Sequence, residues 1–249
     1  MSEVSALSGK TALVTGGAKR IGRAVAVALA AEGANVVIHY RRSGDEAEAT
    51  ADRLCELGAD AWTISADLAD PAEAAALFDR ATDAAGPIDL LVNNAAIFEP
   101  GTLTDFNTAD LARNVQINAL APLQLARGFA DQGREGAIVN FLDTRVVAYD
   151  REHVAYHLSK RMLFSLTRMM ALEFAPAVRV NAVAPGLILP PPGKDRAYLE
   201  RMTSSNPLNR VGTLSQVTEA VLFLLANEFV TGQVIFVDGG QHMRGRTYG

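Results

Sequence analysis

The sequence predicts an α/β fold, a doubly wound parallel sheet with helices on both faces. Short apolar runs rich in β-branched residues alternate along the chain with longer segments of helical periodicity. Several runs are almost wholly apolar, as parallel strands are when both faces of their sheet are covered. Such an alternation implies right-handed β-α-β crossovers. Because no repeat, low-complexity tract or linker interrupts it, we expect residues 1–249 to form a single Rossmann domain with seven strands.

Each strand prediction rests on one apolar run. The seven runs are Thr11–Thr15, Asn35–Tyr40, Ala61–Ser65, Ile88–Asn93, Ala137–Leu142, Arg179–Ala184 and Gln233–Val237. Two helix starts resemble capping boxes, because Ser43 and Asp70 are each followed three residues later by a glutamate. Pro71 then occupies a first helical position, where proline is favoured.

The remaining segments divide into helices and one irregular loop. The alanine-rich run Ala24–Ala31 predicts a short helix packed closely on the sheet, and longer helices are predicted at about 105–131, 153–174 and 214–227. Pro185–Gly193 holds four prolines and two glycines, which predicts a loop able to act as a lid.

Composition excludes several classes of function. The chain has 249 residues, 49% of them hydrophobic, and a net charge of −5, which is unfavourable for binding nucleic acid. A single cysteine, Cys55, excludes an internal disulfide and fits a reducing compartment. The N-terminus lacks the pattern of a signal peptide, and no apolar run is long enough to span a membrane. We therefore expect a cytoplasmic protein.

A glycine-rich turn follows the first predicted strand and opens a helix. It reads Thr15-Gly16-Gly17-Ala18-Lys19-Arg20-Ile21-Gly22. Glycines let the backbone approach a pyrophosphate, and a helix N-terminus offers free N–H groups and a favourable dipole. A tight turn without a ligand would also use glycines. The candidate dinucleotide contacts here are Gly16, Lys19, Arg20, Ile21 and Gly22.

The end of the second strand favours NADPH over NADH. NAD-selective folds place an acidic residue there, whereas this chain reads His39-Tyr40-Arg41-Arg42-Ser43 and has no carboxylate until Asp45. A 2′-phosphate prefers guanidinium and hydroxyl donors, which Arg42, Ser43 and Arg20 supply. The alternative is a solvated basic turn in which Ser43 is only a helix cap.

Two further patterns predict catalytic chemistry. Asn93-Asn94-Ala95-Ala96 ends the fourth strand, at the edge where such sheets bind ligands, although an Asn-Asn pair is also a turn signal. Tyr156 and Lys160 lie one helical turn apart and share a face. A lysine in that place stabilises a phenolate and lowers the tyrosine pKa, which makes the tyrosine an acid–base catalyst.

Taken in this order, the motifs resemble the short-chain dehydrogenase/reductase family over nearly the whole chain. The resemblance implies that Asp67-Leu68 contacts the adenine and that Asn118 holds a water of the proton relay. It implies nicotinamide contacts from Pro185, Gly186 and Leu187, after a sixth strand beginning at Arg179. Val237-Asp238-Gly239-Gly240 resembles the family's C-terminal strand ending. The resemblance also implies cofactor contacts from His39, Tyr40, Arg41, Asn94, Ala95, Ala96, Tyr156 and Lys160, and a homotetramer.

Two positions depart from the family pattern. Arg20 stands where the family's glycine turn has its middle glycine. The family has a serine thirteen residues before the tyrosine, and this chain has Asp143. An ionised carboxylate only accepts hydrogen bonds, so it would repel a developing alkoxide unless it were protonated. Ketone reduction is therefore disfavoured, and a substrate rich in N–H donors with a C=N bond, such as a pterin, is favoured.

The neighbouring residues resemble the pteridine reductases within that family. Phe98 is placed to stack a flat heteroaromatic ring, and Arg20 to reach substrate as well as phosphate. The glycine turn, the His39–Ser43 stretch and the aspartate at 143 share this resemblance. Ala182–Leu189 and the ending from Asp238 to Arg244 are more similar to bacterial dihydromonapterin reductase. The short, proline-rich loop at 186–200 leaves the choice of pterin open.

The hypothesis is thus an NADPH-dependent pteridine reductase with Asp143, Tyr156, Lys160 and Asn118 as catalytic residues. The substrate contacts would be Arg20, Phe98, Asp143 and Tyr156. The alternatives are a carbonyl reductase acting on 3-ketoacyl or sugar substrates, and a non-catalytic dinucleotide sensor. Two residues also have non-functional interpretations. Asp143 would be a structural hydrogen-bond acceptor if the protein were an inactive member of the family, and the alternative for Phe98 is ordinary core or lid packing. We expect no metal site, because His153 and His157 have no partner at ligand spacing. Arg244 is either a disordered tail residue or a contact in a neighbouring subunit's pocket.

Overall fold

The computed structural model describes residues 5–191 and 193–244. Its centre is one parallel sheet with the strand order β3-β2-β1-β4-β5-β6-β7. The strands are β1 Thr11–Thr15, β2 Asn35–Tyr40, β3 Ala61–Ser65, β4 Leu90–Asn93, β5 Gly136–Phe141, β6 Val178–Pro185 and β7 Val234–Val237. The order reverses between β1 and β4, and open sheets of this type bind ligands beyond the carboxyl ends of their strands at such a reversal.

Helices cover both faces of the sheet. They are α1 Arg20–Ala31, α2 Gly44–Glu56, α3 Pro71–Ala85, α4 Thr108–Val115, α5 Ala121–Asp131, α6 Val154–Glu173, α7 Arg196–Glu200 and α8 Leu214–Ala226. The apolar sides of α1, α2 and α8 pack on one face, and those of α3, α5 and α6 on the other. Consecutive β1 residues alternate between these two cores, with Val14 in the first and Leu13 in the second. The predicted Rossmann architecture is confirmed.

Several element boundaries differ from the prediction. The segment predicted as one helix at 105–131 begins at Thr108, after an Asn107 capping box, and contains a π-helical turn at Gln116–Leu120. β4 begins at Leu90 because the backbone N–H and C=O of Ile88 bond to the Gln132 side chain, each at 3.0 Å, and not to a strand. β5 and β6 each begin one residue earlier than predicted, and β7 one residue later. α7 lies within the predicted 186–200 loop region.

The two predicted capping boxes do not form. Ser43 makes no side-chain bond to the first turn of α2, and the carboxylate of Glu46, which would close the box, is paired with Lys19 at 2.5 Å. Asp70 does cap α3, since its carboxylate accepts the Ala72 N–H at 2.8 Å. The carboxylate of Glu73, the second member of that box, instead accepts the Asp67 N–H.

The turn from β1 into α1 is tightly packed. Gly16 has a positive φ of 64°, and a Cβ on Gly22 would lie 2.2 Å from the Gly16 carbonyl oxygen. Arg20 also has a positive φ, 54°, at the position where the family pattern has a glycine. A side chain in this backbone region costs about 1–2 kcal/mol, which explains that glycine. No helix in the described part of the chain is long and apolar enough to cross a membrane.

The packing at Gly22 generates a stability prediction. We expect Gly22→Ala to lower the free energy of unfolding by about 2–3 kcal/mol, because the new methyl group overlaps backbone that cannot move aside. Urea denaturation measures the change.

Gly44→Ala is the matched control. A Cβ there would lie 3.7 Å from the Tyr40 ring, an ordinary contact at the start of α2. This variant should be unchanged or more stable by about 0.5 kcal/mol, because alanine restricts the unfolded chain. Equal effects of the two substitutions would contradict the packing argument.

Candidate active site

Side chains at the sheet reversal bind β4 to the glycine turn. The Thr15 hydroxyl oxygen accepts the N–H groups of Asn94 and Ala95, both at 3.0 Å. The Asn94 side chain donates to the carbonyls of Thr15 and Gly16 at 2.9 and 3.2 Å. The Asn94 side chain therefore has a structural role, and Thr15, which sequence reasoning did not assign, fixes the end of the strand.

A cleft of about 420 Å³ opens at this edge. Most of the residues predicted to bind the dinucleotide line it, namely Gly16, Lys19, Arg20, Ile21, Gly22, His39, Arg41, Arg42, Ser43, Asp67, Leu68, Asn94, Ala95 and Ala96. Ile97 and Ile117 add apolar wall that the sequence motifs did not indicate. Lys19, at the N-cap of α1, makes no side-chain bond to the first turn of the helix, and that turn contains no acidic residue.

Basic residues surround the end of the cleft near β2. Arg42 is exposed, and the Ser43 hydroxyl is not used as a helix cap. Arg41 lies 4.0 Å from Asp67, an ion-pair distance. This part of the cleft therefore combines guanidinium groups with a hydroxyl.

His39 and Tyr40 have roles other than direct contact with a phosphate. His39 is 2% exposed; its Nδ1 accepts the Gly16 N–H at 3.2 Å, and its Nε2 lies 3.0 Å from the Ala66 carbonyl. Burial lowers the pKa of His39 to about 4, so the imidazole is neutral near pH 7. Tyr40 is outside the cleft lining, with its ring beside Gly44.

Asp143, Tyr156 and Lys160 meet beyond the ends of β5 and β6. The Tyr156 hydroxyl donates to Asp143 Oδ2 at 3.1 Å. Lys160 Nζ donates to the Phe141 carbonyl at 2.7 Å and lies 5.9 Å from the centre of the Tyr156 ring. Tyr156 and Lys160 are 9% and 2% exposed. The structure thus brings together the predicted tyrosine, lysine and aspartate.

The electrostatics of this group differ from the sequence expectation. Burial, with repulsion from Asp143, raises the pKa of Tyr156 well above its usual value. The lowering expected from Lys160 does not offset these two effects. Burial lowers the pKa of Lys160 to about 8, against an opposing effect of Asp143. The tyrosine is therefore a protonated phenol near neutral pH, suited to donate a proton.

Asn118 lies in the π-helical turn and is fully buried. Its Nδ2 donates to the Ile97 carbonyl at 3.1 Å and to the Ser159 hydroxyl at 3.0 Å, while its Oδ1 accepts the Ile97 N–H at 3.0 Å. Ser159 in turn donates to the Tyr156 carbonyl at 2.6 Å. Asn118 thus connects the wall of the cleft to the helix that carries Tyr156.

An aromatic and charged wall stands beside the Tyr156 hydroxyl. The Phe98 ring meets the Tyr156 ring edge-on at 4.8 Å and is stacked on His153 at 4.0 Å. The Arg145 guanidinium is 6.0 Å from the centre of the Phe98 ring and pairs with Asp150. His153 therefore covers one face of Phe98. Sequence reasoning missed Arg145 and Asp150, because opposite charges in a loop carry no periodic signal.

The predicted nicotinamide turn lies at the end of β6 but outside the cleft lining. A Cβ on Gly186 would lie 2.7 Å from Asp238 Cβ, so the Gly186 backbone is packed against the end of β7. Leu187 lines a second cavity of about 480 Å³, between the β6 end and the segment after β7. Arg20 reaches across to this loop, where it donates to the Pro190 carbonyl at 2.7 Å.

The remaining singled-out residues are Arg244, after β7, and His157, beside Tyr156 on α6. Arg244 is exposed and follows a 3₁₀ turn at Gln241–Met243. His157 is 6% exposed, and its Nε2 has no hydrogen-bond partner in the described residues. Within residues 5–191 and 193–244, no cluster of three or more His, Cys, Asp or Glu side chains is placed to hold a metal.

Comparison with known proteins places the chain in a family. A family model described as enoyl-(acyl carrier protein) reductase matches residues 16–242. Versicolorin reductase 1 of Aspergillus parasiticus is 35% identical over an alignment of 259 positions, which covers 96% of this chain and 99% of that protein. A short-chain type dehydrogenase/reductase of Picea abies is 34% identical over an alignment of 252 positions, which covers 94% of this chain and 93% of that protein.

A solved structure is also similar. FolM alternative dihydrofolate reductase 1 from Brucella canis, complexed with NADP, is 38% identical, has a TM-score of 0.89, and is matched over 98% of both chains. With the family model and the curated relatives, this similarity leads to one assignment. The chain is an oxidoreductase that belongs to the short-chain dehydrogenase/reductase family.

Proposed function

We propose that this oxidoreductase is an NADPH-dependent pteridine reductase. It would transfer a hydride to a C=N bond of a dihydropterin (dihydrobiopterin, dihydromonapterin or dihydrofolate) and release the tetrahydro form. The observation that carries the proposal is the carboxylate of Asp143, hydrogen-bonded at 3.1 Å to the Tyr156 hydroxyl where the family pattern has a serine. The similarity to a FolM dihydrofolate reductase complexed with NADP supports it.

The cleft fits NADPH. Gly22 leaves no room for a side chain between the turn and α1, and the first turn of α1 is free of side-chain caps and acidic residues, as a pyrophosphate requires. Arg42 and Ser43, with Arg20, would bind the 2′-phosphate. Asp67 and Leu68 lie in the same lining, where the adenine would bind. The other turn residues, from Gly16 to Ile21, would contact the phosphates through backbone groups.

Proton transfer is assigned to α6. Bound NADPH would supply the hydride. Tyr156, a protonated phenol, would deliver the proton to the pterin ring nitrogen directly or through one water. The Lys160 ammonium would hold the nicotinamide ribose and stabilise the phenolate that remains. The Asn118 side chain, which donates hydrogen bonds to the Ile97 carbonyl and the Ser159 hydroxyl, would keep the groups of the proton relay in position. Ala95, Ala96 and the Pro185–Leu187 turn would border the nicotinamide.

Substrate recognition is assigned to the wall around Tyr156. Ionised Asp143 would accept hydrogen bonds from the pterin N–H groups. Phe98 would stack the pterin ring on the face that His153 leaves open. Arg20, already in contact with the Pro190 carbonyl, would close the site between the glycine turn and the loop.

We also propose a homotetramer. Exposed apolar side chains lie on α6 and, in the C-terminal part of the chain, on α8 and in the segments before and after it. The first group is Leu158, Met162, Met169 and Leu172, and the second is Leu208, Phe223, Phe229 and Met243. Two separate apolar faces are what an assembly with two kinds of subunit contact requires.

A carbonyl reductase is the second candidate, because a curated relative is named versicolorin reductase. Asp143 distinguishes the two functions.

We expect wild-type protein to oxidise NADPH with dihydropterins but not with acetoacetyl thioesters. Asp143→Ser should lower kcat/KM for the pterin about 100-fold, because the substrate loses a charged acceptor, and should increase ketone turnover. Spectrophotometric assays of NADPH oxidation over both substrate panels measure this. Ketone turnover without pterin turnover in the wild type would overturn the proposal.

The basic end of the cleft predicts cofactor selectivity. Combined Arg42→Ala and Ser43→Ala substitutions should raise KM for NADPH at least about 10-fold, because charge-assisted bonds to the 2′-phosphate are lost. The KM for NADH should change little. Arg53→Ala removes an exposed arginine of α2 that pairs with Glu56, and serves as the control. An equal rise for both cofactors in the double variant would argue against 2′-phosphate binding.

The low pKa of Lys160 predicts an upper pH limit for catalysis. Lys160 is charged below about pH 8 and neutral above it, so kcat should fall as the pH rises through about 8. Tyr156 does not cause this fall in kcat, because its pKa is raised above the usual value. Lys160→Arg should move the fall to higher pH, since a guanidinium stays charged. Lys160→Met should remove the fall and lower kcat about 100-fold. A pH–rate profile for each variant tests this, and an unchanged limb in Lys160→Met would refute it.

A further inference from the structure

The Phe98 ring is fixed on two sides by residues at the start of α6. His153, the N-cap of that helix, is stacked on the ring, with the ring centres 4.0 Å apart and the ring planes inclined by 16°. Tyr156, on the same face of the helix, meets the ring edge-on, at 4.8 Å and 86°. Phe98 is still 40% exposed, so part of its surface is open to a ligand. The first turn of α6 therefore determines both the plane of Phe98 and its position relative to the Tyr156 phenol.

The imidazole of His153 is itself held in place by Asp150. Asp150 Oδ1 accepts the His153 backbone N–H at 3.1 Å, and Asp150 Oδ2 lies 3.3 Å from His153 Nδ1. The side chains of Asp150 and His153 are only 5% and 17% exposed. Because His153 is restrained at its backbone and at its ring, it is a firm support for the ring stacked on it.

Backbone hydrogen bonds join the segment after Phe98 to the residues around His153. The Gly101 N–H donates to the Glu152 carbonyl at 2.7 Å, and the Val154 N–H donates to the Gly101 carbonyl at 2.9 Å. Gly101 and His153 thereby form an isolated parallel bridge. The backbone bridge and the ring stack together hold the two segments as one wall beside Tyr156.

A ring that is held in place is a better stacking surface than a mobile one. A phenylalanine free to change rotamer loses that freedom when a ligand stacks on it, and the loss of freedom weakens binding. Phe98 avoids most of this loss, because His153 already fixes the plane of its ring. Stacking also requires a flat π surface on the ligand. A conjugated heterocycle offers such a surface, whereas a flexible acyl chain does not.

We propose that His153 is a positioning residue that holds the Phe98 ring in its stacking orientation and thereby favours flat heteroaromatic substrates over flexible ketones. The inference rests on the proposed function in one respect, the stacking of the substrate on Phe98. The orientation of the Phe98 ring concerns the protein alone and can be measured without any substrate.

The first measurement follows Phe98 by fluorine-19 NMR of the full-length protein labelled with para-fluorophenylalanine, with Phe98→Leu used to assign the signal. Stacked aromatic rings shield each other, so we expect His153→Ala to move the Phe98 signal toward the position of free fluorophenylalanine. His153→Asn keeps a polar side chain beside Asp150 but no ring. It should give the same movement, and it serves if the alanine variant does not fold. His153→Phe, which keeps a ring, should retain most of the shielding. Arg151→Ala removes an exposed side chain from the same loop and should leave the signal unchanged.

Kinetics show whether His153 acts through Phe98. In His153→Ala, KM for dihydropterin should rise about 5-fold while kcat changes less than about 2-fold, because the stacked ring contributes to binding and not to proton transfer. In the Phe98→Leu variant, adding His153→Ala should cause no further rise in KM, whereas a general disturbance of the fold would add to the first effect.

Three results would overturn the inference. They are a Phe98 signal that does not move in the alanine or asparagine variant of His153, a KM for dihydropterin that does not rise, and a rise of equal size with and without the Phe98 ring. A signal that moves in protein that reduces no pterin would uphold the positioning of Phe98 by His153 and reject the proposed function.

Discussion

The hydrogen bond between Tyr156 and Asp143 constrains the rest of the active site. Burial keeps the tyrosine protonated, and the carboxylate at 3.1 Å from the phenol adds to this effect because it would repel a phenolate. Lys160 Nζ is bonded to the Phe141 carbonyl, and Arg145 Nε lies 3.8 Å from the other oxygen of the Asp143 carboxylate. Arg145 is in turn paired with the buried carboxylate of Asp150, in the loop before α6. Asp143, Arg145 and Asp150 thus form one charged group beside Tyr156.

The scaffold places this group by joining strand ends. Thr15 and Asn94 bind the carboxyl ends of β1 and β4 to each other, and Asn118 binds the segment after β4 to α6 through Ser159. Each of these polar side chains is wholly or largely buried, and each has its donors satisfied by backbone or hydroxyl groups. Unpaired polar groups in such positions would cost about 1–3 kcal/mol each, so the network favours a single arrangement of the cleft.

Periodic and motif-bearing features were predictable from the sequence, and contacts between distant loops were not. Strands β1, β2 and β3 have the predicted bounds, because their apolar runs are flanked by clear turns. The glycine turn and the Tyr156–Lys160 pair were identified from their local spacing and from the order of the motifs along the chain. The prediction of a capping box at Ser43 was wrong. The Glu46 carboxylate, which would close that box, pairs instead with Lys19 at the start of α1. The pKa of Tyr156 was predicted in the wrong direction, since sequence spacing places Lys160 on the same helix face but does not show that the phenol is buried beside Asp143.

His39 has a thermodynamic consequence beyond its place beneath the glycine turn. Its imidazole links the Gly16 N–H to the Ala66 carbonyl and is neutral in the folded protein, with a pKa of about 4, whereas an unfolded chain would bind the proton near pH 6.5. Between these two values the unfolded state takes up more protons, so acidification draws the equilibrium toward unfolding. Over that interval the linkage amounts to about 3 kcal/mol, a large part of the stability of an ordinary domain. The residue that shapes the phosphate-binding turn therefore also sets an acid limit for the fold.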